Sequence, residues 1–111
     1  MSFDAMVTSP GRLRILTALA SVPQQPFVEL RARTGLTDGN LATHARRLEA
    51  AGFVVIHKTM DAGKPLTTLQ LTTAGRDALA DHAKKLLAAL EQSSSEQTFQ
   101  PASNSDEDWV D

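Results

Sequence analysis

The 111-residue chain has no cysteine, which removes disulfides, thiolate metal sites and thiol redox chemistry together. It has no tyrosine and a single tryptophan, Trp109, near the C-terminal end. No apolar run approaches the roughly 20 residues that a membrane span needs. The N-terminal residues lack the basic-then-apolar pattern of a secretory signal. These absences lead us to expect a soluble, cytoplasmic protein. Residues 91–111 contain no Lys or Arg but hold six acids: Glu91, Glu96, Asp106, Glu107, Asp108 and Asp111. All eleven basic residues therefore lie in residues 1–90 with seven acids, a formal net charge of +4, although the whole chain carries −2. Such asymmetry suggests an anion-facing body with an acidic appendage.

The length fits one small domain with a tail, which we place at residues 1–92 and 93–111. A domain this small buries a modest share of its surface, so an oligomer interface would support it. Ser9-Pro10 reads as a helix start, with serine as cap and proline at the first helical position. Leu13, Ile15, Leu16, Leu19 and Ala20 continue as a helical stripe to Ser21, and Pro23 and Pro26 stop it. Phe27 to Thr34 forms a second short helix with Leu30 and Phe27 inward, closed by Gly35. Thr37 caps a third helix, with Asn40 three residues on in a capping-box-like position. That helix, 37–51, is a rod of roughly 20 Å at ~1.5 Å per residue.

Phe53-Val54-Val55-Ile56 is a β-branched run, and Thr67 to Thr72 alternates with Leu69 and Leu71 on one face. Asp61-Ala62-Gly63-Lys64-Pro65 between them is a turn cluster, which makes a hairpin. Thr72 or Thr73 then caps a last helix with the stripe Leu79, Ala83, Leu86, Leu87 and Leu90. The chain beyond is rich in Ser, Gln, Asn, Asp and Glu, and such composition favours disorder. The expected fold is mainly α with a small β-hairpin, in the order helix-helix-helix-strand-strand-helix. This is a winged helix-turn-helix.

At 100° per residue, Leu41, Ala45, Leu48 and Gly52 gather on one side of the third helix. Asn40, Thr43, His44 and Arg47 gather about a third of a turn away by the same geometry. Arginine pairs with guanine, asparagine with adenine, and threonine meets a phosphate or a thymine methyl, so these four are candidate base readers. Gly39 and Ala42 permit close approach to the groove. Arg46 lies to the side and suits the phosphate backbone, and contacts of that kind set position rather than sequence. Thr37, Arg31, Arg33, Lys58 and Lys64 join it as backbone candidates.

Taken in order, several stretches resemble the compact MarR/ArsR-type winged-helix transcriptional regulators. They are Phe27-Val28-Glu29-Leu30, Thr34-Gly35-Leu36, Thr37 to Leu41, Arg47 to Val54, and Leu71 to Arg76, about half of the chain. The resemblance implies a dimer that binds palindromic operator DNA and usually represses transcription. It places helix 37–51 in the major groove and the 57–66 wing, near Lys58, Lys64 and Pro65, on the adjacent backbone or minor groove. The extra helices that form the ligand pocket of full-length MarR proteins and the cysteine metal sites of many ArsR proteins are both missing. No cofactor is implied, and whether a small-molecule effector acts is left open.

The stripe of the last helix repeats near coiled-coil spacing. Leu79 suits intramolecular packing, whereas Leu86, Leu87 and Leu90 lie beyond the compact domain and are dimer-interface candidates. His44, His57 and His82 share no metal-ligand spacing, and His57 and His82 read as surface residues. No Ser/His/Asp grouping or phosphate loop stands out, so an enzyme is not expected. Trp109 among its acids makes the tail a candidate to dock on a protein partner or to compete with DNA for the basic face. The alternative function is a winged-helix protein-interaction module without sequence-specific DNA binding. Loss of the polar recognition face would mark it, and Asn40, Thr43, Arg46 and Arg47 argue against it.

Overall fold

The computed structural model describes residues 3–96, with side chains through residue 92. Eight elements follow in chain order: α1 (Ala5–Thr8), α2 (Pro10–Ser21), β1 (Gln24–Pro26), α3 (Phe27–Thr34), α4 (Asp38–Ala50), β2 (Val54–Asp61), β3 (Lys64–Leu71) and α5 (Thr73–Glu96). The core joins Ile15, Leu16 and Leu19 of α2 with Leu30 of α3, Leu41 and Leu48 of α4, and Leu69 of β3, all fully buried. Phe27 and Leu79 pack partly buried against it. The stripes expected for α2 and α4 thus mark the faces that pack. Of the stripe expected for α5 only Leu79 packs, whereas Ala83, Leu86, Leu87 and Leu90 are exposed, as is Gly52 beyond α4.

Two elements were not anticipated. In α1 the Asp4 carboxylate accepts from the Met6 backbone N–H at 2.9 Å, and Val7 is driven fully into the core. The prolines do stop α2, but the segment after it becomes a strand. β1 pairs antiparallel with β3, Gln25 opposite Leu69, and completes a three-stranded sheet in the order β1-β3-β2. The sequence pointed to two strands because Gln24-Gln25-Pro26 has no apolar alternation. The cause is tertiary: the buried Gln25 donates its amide to the carbonyls of Ala18 and Val22, at 2.8 and 2.7 Å. The Ala18 carbonyl also accepts from the Val22 N–H at 3.5 Å, and the Val22 carbonyl lies just beyond the end of α2.

Helix termini divide similarly. Thr37 accepts from the Asn40 N–H at 3.1 Å and caps α4 as expected. Ser9 occupies the cap position of α2 but makes no side-chain cap bond, so its capping role is corrected. Gly35, at φ 73°, closes α3 in the left-handed region, where a Cβ would be strained. Past α4 the N–H groups of Gly52 and Phe53 return to the carbonyls of Glu49 and Leu48, and the chain turns directly into β2. Thr72 is the cap of α5: its hydroxyl accepts from the Gly75 N–H and donates to the Gly52 carbonyl.

The hairpin is longer than its apolar runs. β2 and β3 pair over eight positions each, from Val54 opposite Leu71 to Asp61 opposite Lys64. Asp61, Lys64 and Pro65 therefore belong to the strands, and the turn is Ala62-Gly63 alone. Both have positive φ, 52° and 78°, as the tightest hairpin turns require to match strand twist. At the other end of the chain, α5 continues through residues 93–96, past the expected domain boundary at 92. Trp109 and the acids from Asp106 onward lie outside the described residues. No described helix is long and apolar enough to cross a membrane.

Candidate nucleic-acid interface

α3, the turn through Gly35 and α4 form the helix-turn-helix. Its two helices are joined across the turn by an ion pair, Arg31 Nη1 to Asp38 Oδ1 at 2.7 Å, with both side chains well exposed. Arg31 thus has an intramolecular partner as well as an outward position, and the pair is screened by solvent. The Thr37 hydroxyl is engaged as cap. Leu41, Ala45 and Leu48 fix α4 to the core, while Asn40, Thr43, Arg46 and Arg47 are exposed on its free sides. Gly39, near the leading end, has open space around the position of a Cβ.

His44 departs from the expected arrangement. Its ring lies half-buried against α2, where a Cβ on Gly11 would come within 2.5 Å of its Nε2. His44 Nδ1 sits 3.4 Å from Arg12 Nη1. An arginine only donates, so Nδ1 is the acceptor and the neutral ring carries its proton on Nε2. His44 therefore does not project with Asn40, Thr43 and Arg47. The 100° wheel places its Cα correctly, but the small Gly11 opposite gives the ring a slot to enter. Burial first, then the charges of Arg12 and Arg47, hold its pKa below the ordinary 6.5.

The sign of this shift sets a pH dependence. Above the ordinary histidine range both folded and unfolded chains hold His44 neutral, and its contribution to stability is complete. As pH falls below about 6.5 the unfolded chain takes up the proton first, and that contribution declines until the folded pKa is passed. Thermal melts between about pH 8 and about pH 5.5 should show the wild type losing more stability than His44→Gln. Parallel losses would exclude this coupling.

Arg12 was not singled out by sequence, since the two arginines of α2, Arg12 and Arg14, read as surface residues. Its Nε donates to the Met6 carbonyl at 2.7 Å and its Nη2 to that of Ala5 at 3.3 Å, so it ties α1 to α2 as well as to α4. The only hint was the adjacent Gly11. His82 is likewise not a plain surface residue, because its ring packs edge-on to Phe3 with centroids 5.5 Å apart. His57 bonds Gln70 Oε1 through Nε2 at 2.8 Å across the hairpin.

Between α4 and the hairpin runs a cleft of about 340 Å³, with Phe27, Ala42, Ala45, Ile56 and Leu69 as its floor. Arg46 from the helix and Lys58 from β2 both line it, together with Thr67 and Glu49. Two expected backbone-contact residues, distant in sequence, are thus brought to one concavity. Glu49 accepts from the Ile56 N–H at 3.0 Å and so fastens the edge strand β2 to the last turn of α4. Arg33 lies elsewhere, beside Arg14 in a shallow groove along α2. Lys64 is exposed near the hairpin tip, and Leu86, Leu87 and Leu90 are 48–59% exposed on the free part of α5. Among the described residues no group of three His, Asp or Glu side chains could hold a metal ion.

A helix-turn-helix whose second helix is pinned on one side and polar on the other, followed by a hairpin, defines the winged-helix class. Comparison with known proteins gives the same class. Residues 12–90 match the model of the winged helix DNA-binding domain family. An uncharacterized protein of Methanocaldococcus jannaschii is 34% identical over 76 residues, covering 68% of this chain and 83% of its own. The structure of a transcriptional regulator homologue from Pyrococcus horikoshii superimposes with a TM-score of 0.74 at 30% identity, over 78% of this chain and 86% of that one. A MarR-family transcriptional regulator from Silicibacter pomeroyi shares the fold at 18% identity, with a TM-score of 0.58 over 88% of this chain and 78% of its own. The chain belongs to the winged helix DNA-binding domain family.

Proposed function

We propose that this protein is a dimeric transcriptional regulator, a repressor, that inserts α4 in the major groove of a palindromic operator. One observation carries the reading: Asn40, Thr43, Arg46 and Arg47 stand exposed on a helix whose opposite face is locked in the core, and Arg46 shares a cleft with Lys58 of the wing. Asn40, Thr43 and Arg47 are the base readers, and Arg46 and Lys58 take the phosphate backbone between the two grooves. Lys64, Thr37, Arg31 and Arg33 offer further backbone contacts, those of Arg31 in competition with Asp38. His44, turned toward Arg12, orients α4 and does not read a base. The relatives described as transcriptional regulators support the regulatory role. We assign no catalytic step and no effector, and the proposed role places the protein with DNA in the cytoplasm.

Dimerisation falls to Leu86, Leu87 and Leu90. They project from the part of α5 that has left the core, and exposed leucines on one helix call for a cover. A two-fold dimer sets half-sites about one helical turn of DNA apart.

Binding-site selection from random duplex DNA is the direct test. A palindromic consensus supports the whole reading, while no enrichment favours a protein-interaction module. On the selected duplex, Lys58→Ala should weaken binding similarly for all sequences and flatten the log affinity against log salt slope by about one per subunit. An unchanged slope would remove Lys58 from the backbone contacts.

A further inference from the structure

His44 belongs by spacing to the outward residues of α4, but its ring turns back to the body. There α4 meets α2, and Gly11 leaves the space that the ring fills: a Cβ at Gly11 would lie 2.5 Å from Nε2 and 2.6 Å from Cδ2. The slot suits a neutral imidazole. Its Nδ1 accepts from Arg12 Nη1 at 3.4 Å, and the Met6 and Ala5 carbonyls hold that guanidinium in place from α1. Arg47, one turn further along α4, is the second charge acting on the ring. No described carboxylate offsets them. α2 has no acid, Asp4 bonds the Met6 N–H, and Asp77 and Asp81 of α5 are exposed to solvent. On α4 itself Asp38 and Glu49 bond Arg31 and the Ile56 N–H. A protonated ring has only N–H groups to offer, and the arginine opposite it has the same. The slot therefore rejects the imidazolium.

Resting on the DNA-binding reading above, we propose that His44 is a proton-linked phosphate contact. Neutral, the ring lies in the Gly11 slot and orients α4; protonated, it swings out beside Thr43 and Arg47 to meet a DNA phosphate. The movement is a rotation of one side chain between staggered states. Its Cα already lies on the outward side of α4 by helical spacing, and the ring is only half-buried. In the complex an anion faces the ring where Arg12 faces it in the slot, and a charge-assisted bond replaces the long one to Arg12. An opposite charge within reach favours the charged form, so the complex holds the proton to a higher pH than the free protein does. Binding is thus coupled to proton uptake, and affinity rises as pH falls through the histidine range. Phosphates carry no sequence, so the gain is the same on every duplex.

Proton NMR of the free full chain follows the His44 ring from about pH 8 to about pH 5.5. In wild type the ring should titrate below 6.5 and lose its nuclear Overhauser contact with Gly11 as it takes up the proton. In Gly11→Ala, whose Cβ fills the slot, it should titrate closer to the ordinary value. A protonated ring still in contact with Gly11, or equal titration in the two proteins, would overturn the swing. Gel-shift titrations then compare wild type and His44→Gln over the same pH range, on the selected duplex and on a scrambled one. His57 and His82 are present in both proteins, so their effects cancel. From high to low pH wild type should gain about tenfold more affinity than His44→Gln on both duplexes, the size of one hydrogen bond to a charged group. Its log affinity against log salt slope should steepen by about one per subunit more than that of His44→Gln. Equal pH dependence of the two proteins would overturn the phosphate contact while leaving the DNA-binding reading in place. A gain confined to the selected duplex would also overturn it, making His44 a base reader. No binding of either duplex by wild type at any pH would overturn both readings together.

Discussion

Gly75→Ala should lower the melting temperature by about 15 °C, corresponding to about 3 kcal/mol of overpacking in a domain of this size. Gly75 is buried in the first turn of α5, and an added Cβ would lie on the Phe53 carbonyl oxygen. It would also stand 2.9 Å from Leu71 Cδ1. The carbonyl is not free to swing aside, because it accepts from the Thr72 N–H at 3.1 Å. The α5 start, the strand exit and the end of α4 meet at this point, so relief at one displaces the others. Gly11→Ala provides the contrast. The three atoms nearest its Cβ all belong to the His44 ring, a side chain that can rotate outward, and a milder loss is expected. Circular dichroism melts of both variants check the order. Equal stability of Gly75→Ala and wild type would mean that α5 does not approach the sheet as closely as described.

The double variant Leu87→Glu with Leu90→Glu should leave the melting temperature of the isolated domain nearly intact and abolish the proposed dimer. Both side chains are more than half exposed, so no core contact is lost. Two like charges per helix would oppose the pairing of apolar stripes. Affinity for a two-half-site duplex should fall about a hundredfold, because binding of the second half-site is no longer intramolecular. Affinity for a single half-site should change little. Light scattering gives the mass, and gel-shift titrations on the two duplexes give the affinities. A monomeric wild type with undiminished two-site binding by the variant would eliminate α5 as the interface.

Local signals were legible wherever one residue type has one main physical use. The stripes Ile15-Leu16-Leu19 and Leu41-Ala45-Leu48 gave the packed faces, because helical spacing alone brings them together. The α4 cap at Thr37 and the helix end at Gly35 were equally local. Beyond α1 and Arg12, three features were not legible, each for its own reason. β1 depends on a glutamine whose partners are carbonyls of another element. The hairpin length depends on a turn in which Ala62, not a second glycine, takes positive φ. The inward turn of His44 depends on Gly11, 33 positions earlier in the chain.

The sequence by itself thus determined the order of six of the eight elements, the packed faces of α2 and α4 and the charge contrast between body and tail. These follow from periodicity, end-capping chemistry and composition, which act over a few residues. Only the tertiary structure decided which polar groups stand together: Arg46 with Lys58, Arg12 with His44, and Arg31 with Asp38. The last two depend on how α2 and α3 pack against α4, and the first on the angle between α4 and the wing and on the strand register. Both are set by packing across the whole domain, in the Glu49 bond to β2 and the close contact at Gly75.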